Sequence, residues 1–178
     1  HIHYKISSDT EVGAYLTEER KQWIEGVGEA VVNSELFTSE EVSLVTFEEF
    51  AVFCRNYGLN PYHETIKMDR EAYLEMQIAD YILNNNDRHE QNWGFLMENV
   101  TGKLTGLCPL FDHDHAFVNY KNVMSQTTER EMSLREAALR AQHELEIDLR
   151  GLSEMDKPTF LSDEQWRAVQ DRRKQLTA

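Results

Sequence analysis

A chain of 178 residues, 40% apolar and 28% charged, has enough material for one hydrophobic core and lacks the composition of a disordered segment. Its net charge of −14 argues against a general nucleic-acid binder and against docking on an anionic membrane, because both tasks demand a basic face. No apolar run approaches the roughly 20 residues that span a bilayer. Two distant cysteines, Cys54 and Cys108, argue against a disulfide framework or a structural zinc site, so a reducing cytoplasm is expected.

In chain order, Trp23, Ile24, Val27 and Val31 recur at helical spacing and predict a helix over about Thr17 to Asn33. Thr46 with Glu49 reads as a capping box ahead of Phe47, Phe50, Ala51, Cys54 and Tyr57, with Gly58 as the stop. The acidic run Glu40, Glu41, Glu48 and Glu49 reads as a solvated helix face. From Asp69 to about Leu83, Ala72, Met76, Ala79 and Leu83 form another apolar stripe. The pattern then changes. Trp93 to Met97, a turn cluster at Asn99 to Lys103, and a second apolar run from Leu104 to Leu110 predict a β-hairpin. Helices return afterwards, with Ser133/Glu136 and Ser162/Gln165 as starts. The expected fold is a single domain over residues 1–178, mainly α with a small β-hairpin.

The densest chemistry lies between Asn84 and His115, from NNNDRHEQN (Asn84 to Asn92) to PLFDHDH (Pro109 to His115). An Asn-rich helix end is most simply a cap and turn. Here, however, an Asp and an Asn five residues apart precede a hairpin, and a further Asp follows it. A hairpin folds its ends together, so Asp87, Asn92 and Asp112 are expected to converge. Phosphoryl transfer needs such a set: a carboxylate to orient the acceptor hydroxyl and take its proton, and hard oxygen ligands for magnesium.

DRHEQN at Asp87 to Asn92 resembles the DRHxxN catalytic loop of HipA-like bacterial serine/threonine kinases, which phosphatidylinositol kinases share. PLFD at Pro109 to Asp112 resembles the metal-binding segment that these proteins carry in place of DFG. The resemblance covers about 35 residues. It implies a protein-kinase-like C-lobe in the α+β superfamily, using ATP and Mg2+. It also implies Asp87 as catalytic base, with Asn92 and Asp112 as metal ligands. Asp114 would be a secondary magnesium ligand and His89 a phosphate or orienting contact, with Asn92 also on the cofactor side. A protein acceptor is the expected partner.

The departures are specific. Asn86 stands where many protein kinases have Arg, and His113 and Asp114 replace the Phe-Gly of DFG. No glycine-rich loop and no Val-Ala-x-Lys pattern precedes residue 87, and residues 1–86 read as helices. The ATP-clamping N-lobe is therefore expected from another segment or a partner chain. Two other functions fit parts of the pattern. One is a kinase-like scaffold that transfers nothing. The other is a metal-dependent hydrolase built on His89, His113, Asp114 and His115, which strand alternation at His113 and Asp114 disfavours.

Overall fold

The computed structural model describes residues 41–113, 115–117, 124–127 and 132–178. The helix expected over Thr17 to Asn33, Glu40 and Asp114 lie outside these residues. Among the described residues the fold is mixed α and β, with four α-helices, a short 3-10 helix and two small antiparallel sheets. They fall into two compact units. One takes residues up to Tyr73 together with His89–Phe111, and the other takes Leu74–Arg88 together with residues from Asp112 onward.

The first unit begins with β1 (Val42–Thr46), which pairs antiparallel with β2 (Gly94–Glu98), itself paired antiparallel with β3 (Lys103–Leu107). The expected hairpin is present, but the stretch before residue 87 is not all helical. VSLVT is a short β-branched run whose last three residues are buried, and β1 makes the hairpin a three-stranded sheet. Gly94 is required where β1 and β2 meet, because a Cβ there would lie 2.0 Å from the Val45 carbonyl oxygen.

Helix α1 (Phe47–Asn56) follows β1 directly, and the Thr46 hydroxyl caps it by accepting from the Glu49 amide. Gly58 ends the turn after it with φ +69°, a left-handed conformation that glycine adopts without strain. The core of this unit is aromatic. Phe47 stacks on Trp93 with centroids 4.2 Å apart and planes 12° apart, and Phe50 meets Phe95 at 4.7 Å. Burying such rings stabilises by about 2 kcal/mol or more apiece.

Glu49 overturns the solvated-face reading: it is 2% exposed, and among the described residues neither carboxylate oxygen has a hydrogen bond of good geometry. Burial pushes its pKa up to about 7, opposed by the Thr46 main-chain amide and reinforced by the charge of Glu48. The same burial pushes the thiols of Cys54 and Cys108 up to about 12 and about 11, and both are free.

Helix α2 (Pro61–Leu83) starts earlier than the periodicity predicts. Pro61 occupies its first turn, and the Asn60 side chain accepts from the Tyr62 and His63 amides. Non-helical backbone at Asp69 (φ −153°) kinks it, and the Asp69 carboxylate accepts from the Ala72 amide at 3.4 Å and the Leu107 amide at 2.8 Å. The expected start at Asp69 is thus the start of its second half. Tyr73, Leu74, Met76, Ile78, Tyr81 and Ile82 are all buried, so this half is covered around most of its circumference and not along one stripe.

In the second unit, β4 (Met124–Ser125) pairs with β5 (Met132–Ser133). Helix α3 (Leu134–Leu145) begins at the expected Ser133 with a closed capping box, and α4 (Asp163–Thr177) begins the same way at Ser162. A 3-10 helix, Leu149–Ser153, lies between them. The Tyr81 hydroxyl donates to Gln175 Oε1 at 2.6 Å and Arg172 donates to the Ile82 carbonyl, tying the second half of α2 to α4.

Candidate functional site

The site is built at the C-terminal end of α2. Asn84 takes left-handed backbone (φ +50°), which Asn tolerates, and the Asn85 amide donates to the Asp80 carbonyl at 2.8 Å to close the last turn. Asn85 is fully buried. Its Nδ2 donates to Asp80 Oδ1 at 3.2 Å, and its Oδ1 accepts from the Asp87 amide at 3.3 Å. This Asx turn fixes the backbone that presents Asp87.

Arg88 then doubles back onto the helix. Its Nη2 donates to Asp80 Oδ1 at 2.9 Å and its Nε reaches both carboxylate oxygens at 3.1 and 3.2 Å, with both side chains under a tenth exposed. Burial raises the Asp80 carboxyl above the usual range, and the Arg88 guanidinium and Asn85 amide counteract it.

The PLFDHDH segment arrives at the same place. Arg88 Nη2 lies 3.2 Å from His113 Nε2, and His115 Nε2 lies 3.9 Å from Asp87 Oδ2. The Phe117 amide donates to the Leu83 carbonyl at 2.7 Å, anchoring the segment to the end of α2. Asp112 is solvent-exposed and left-handed (φ +57°), and Phe117 is left-handed too (φ +67°). Two such residues within one short loop mark a backbone held by its surroundings. Burial, then the charge of Arg88, lower the affinity of His113 for a second proton, against Asp80 and Asp112.

The loop of Asp87 and the segment of Asp112 are therefore brought together, through Arg88 with His113 and Asp87 with His115. Asn92 and His89 belong to the first unit. There, Asn92 is 1% exposed and its amide donates to the His89 carbonyl, while exposed His89 accepts at Nδ1 from the Gln91 amide. The first turn of α1 holds the same stretch: the Phe47 and Glu48 amides donate to the carbonyls of Trp93 and Glu90.

As donors for magnesium, the accessible carboxylates of Asp87 and Asp112 fit an ion that prefers hard oxygen and keeps several waters. Asn92 is the least accessible of the three residues. Among the described residues, no group of three or more His, Cys, Asp or Glu side chains that could hold a metal is gathered. No helix among them is long and apolar enough to cross a membrane.

Asp80, Asn85 and Arg88 carry this geometry without having been singled out from the sequence. The signal was a lone Asp in the apolar helical run QIADYIL, since a buried carboxylate needs a partner and Arg88 lies eight residues on. No family model matches the chain, and no curated protein or solved structure compared with it matches either.

Proposed function

We propose that this chain carries the catalytic half of an ATP- and magnesium-dependent phosphotransferase that modifies a hydroxyl on a protein acceptor. One observation carries the reading: the loop holding Asp87 and the segment holding Asp112 are fastened together by Arg88 and His113, with His115 beside Asp87. These are the two segments that resemble the catalytic loop and the metal-binding segment of HipA-like kinases.

In this reading Asp87 orients the acceptor hydroxyl and takes its proton. Its main-chain amide is pinned by Asn85, which fixes the backbone that presents the carboxylate. Asp112 would hold magnesium, which when bound neutralises phosphate oxygens, and Asn92 is a candidate ligand on the resemblance alone. Asp114 is a further candidate ligand, and His89 a candidate phosphate contact. The clamp on the adenine and phosphates comes from an N-lobe.

The test is magnesium-dependent transfer of the ATP γ-phosphate with an ATP-clamping lobe present. Asp87→Asn should lower the rate by about 10²-fold or more while leaving nucleotide affinity within about twofold, since a base acts in the chemical step. Asp112→Asn should weaken magnesium-nucleotide binding as well. Equal transfer by wild type and Asp87→Asn would overturn the proposal.

A further inference from the structure

Asp80, Arg88 and His113 are not needed for proton transfer or metal binding, yet they join the two loops that are. The contact between Arg88 Nη2 and His113 Nε2, 3.2 Å long, has only one chemical solution. A guanidinium carries donors alone and stays protonated in proteins, so the imidazole nitrogen facing it must accept. Nε2 then holds a lone pair, the ring is neutral, and its proton sits on Nδ1. The other tautomer, or the imidazolium, would set two N–H groups against each other.

Arg88 cannot turn away from this contact, because Nε and Nη2 are also engaged by the buried Asp80 carboxylate. Asp80 in turn lies inside α2 and accepts from Asn85. One guanidinium thus stands next in sequence to Asp87 and touches the residue next to Asp112. The second cross-contact, His115 to Asp87 at 3.9 Å, is more exposed and longer than a hydrogen bond.

We propose that Asp80, Arg88 and His113 form a positioning relay: helix-borne Asp80 fixes Arg88, Arg88 fixes His113 as its Nδ1–H tautomer, and the fixed ring holds left-handed Asp112 in place relative to Asp87. That Asp112 serves a metal rests on the phosphotransferase reading. The tautomer and the ordering of the Asp112 backbone do not.

Long-range proton–nitrogen NMR on the full chain near pH 7 reads the tautomer directly. A protonated, pyrrole-type signal is expected at Nδ1 of His113 and a pyridine-type signal at Nε2. A protonated Nε2 overturns the relay, whether the ring is neutral or charged. Two substitutions then test positioning. His113→Gln keeps a side-chain acceptor that can face Arg88, and His113→Leu removes it. Backbone relaxation at the Asp112 amide should stay near the rigid value of about 0.85 in wild type and His113→Gln, and fall below about 0.6 in His113→Leu. Equal order in the Leu and Gln variants overturns the proposal, and if the Leu variant does not fold, a mobile Asp112 in His113→Gln does so. Mn2+ alone, added to wild type, should broaden the Asp112 signal. Its failure to do so would remove the metal assignment of Asp112, a separate failure from a wrong tautomer.

Discussion

Glu49 in the first unit and Asp80 in the second are both buried carboxylates, and the two are accommodated in opposite ways. Asp80, in the second unit, is 2% exposed and meets a guanidinium and an amide. Glu49, in the first, is equally hidden, and among the described residues both its oxygens lack a hydrogen bond of good geometry. Burial raises both carboxyls. At Asp80 the answer is an ion pair that keeps the charge useful as an anchor. At Glu49 the answer is a proton, since a pKa of about 7 leaves the group largely neutral in mildly acidic solution. Asp80 is thus a rivet and Glu49 a titratable weak point.

The largest expected effect breaks the rivet. Arg88→Met leaves Asp80 buried without its cation and should cost about 3–5 kcal/mol in urea unfolding. Changing both residues, Asp80→Leu with Arg88→Met, should recover most of that loss, because an apolar pair of similar volume often replaces a buried ion pair at little cost. If the double variant is no more stable than the single one, the cost does not come from the orphaned charge. The same double variant should leave the relay broken, so stability and the order of Asp112 would separate.

Glu49→Gln sharpens the other side of the comparison. The folded pKa, about 7, lies above the ordinary 4.5, so between those values the native state binds more protons than the unfolded chain. Stability is therefore full below about pH 4.5, falls as pH rises through the window, and is level above about pH 7. A shift of that size corresponds to about 3 kcal/mol. The Gln variant is neutral throughout, so it should lose this slope and exceed wild type by up to about 3 kcal/mol at pH 8. Unfolding curves at pH 5, 6, 7 and 8 check it, and the same slope in both proteins would show that Glu49 is not its source.

The sequence carried one half of this contrast and hid the other. Thr46 with Glu49, Ser133 with Glu136, and Ser162 with Gln165 present the same local pattern, and all three mark helix starts. Local spacing suffices for that, because a cap is made within one turn. What the third residue does next depends on tertiary burial. Glu136 returns to the Ser133 amide at 3.0 Å, whereas Glu49 is buried and closes no box. Strand β1 is not legible locally for a related reason: five residues of VSLVT become a strand only because β2 supplies a partner. Asp87 and Asp112 stand out in the sequence because their motifs are local. Asp80 and Arg88, which tie those motifs together, sit in different elements, and only the turn at Asn84 and Asn85 brings them within reach.

The smallest expected effect tests whether the shared pattern is one device or two. In α3 the Ser133 hydroxyl accepts from the Glu136 amide at 3.1 Å, while Glu136 Oε2 accepts from the Ser133 amide at 3.0 Å and hydroxyl at 2.9 Å. Ser133→Ala removes the hydroxyl and should cost about 1 kcal/mol, the usual worth of a cap. Glu136→Ala should cost less, since the Ser133 hydroxyl still caps the helix. Because each side chain touches the other, the two losses should not add, and a double-mutant cycle should return a coupling of about 0.5 kcal/mol or more. In α1 the Thr46 hydroxyl accepts from the Glu49 amide, a main-chain group that substitution at position 49 leaves in place. Thr46→Ala with Glu49→Ala should therefore show a coupling near zero. Urea unfolding of the four members of each cycle decides it. Equal couplings at the two helices would mean that Glu49 closes its box in solution, and that its burial is not what sets the two regions apart.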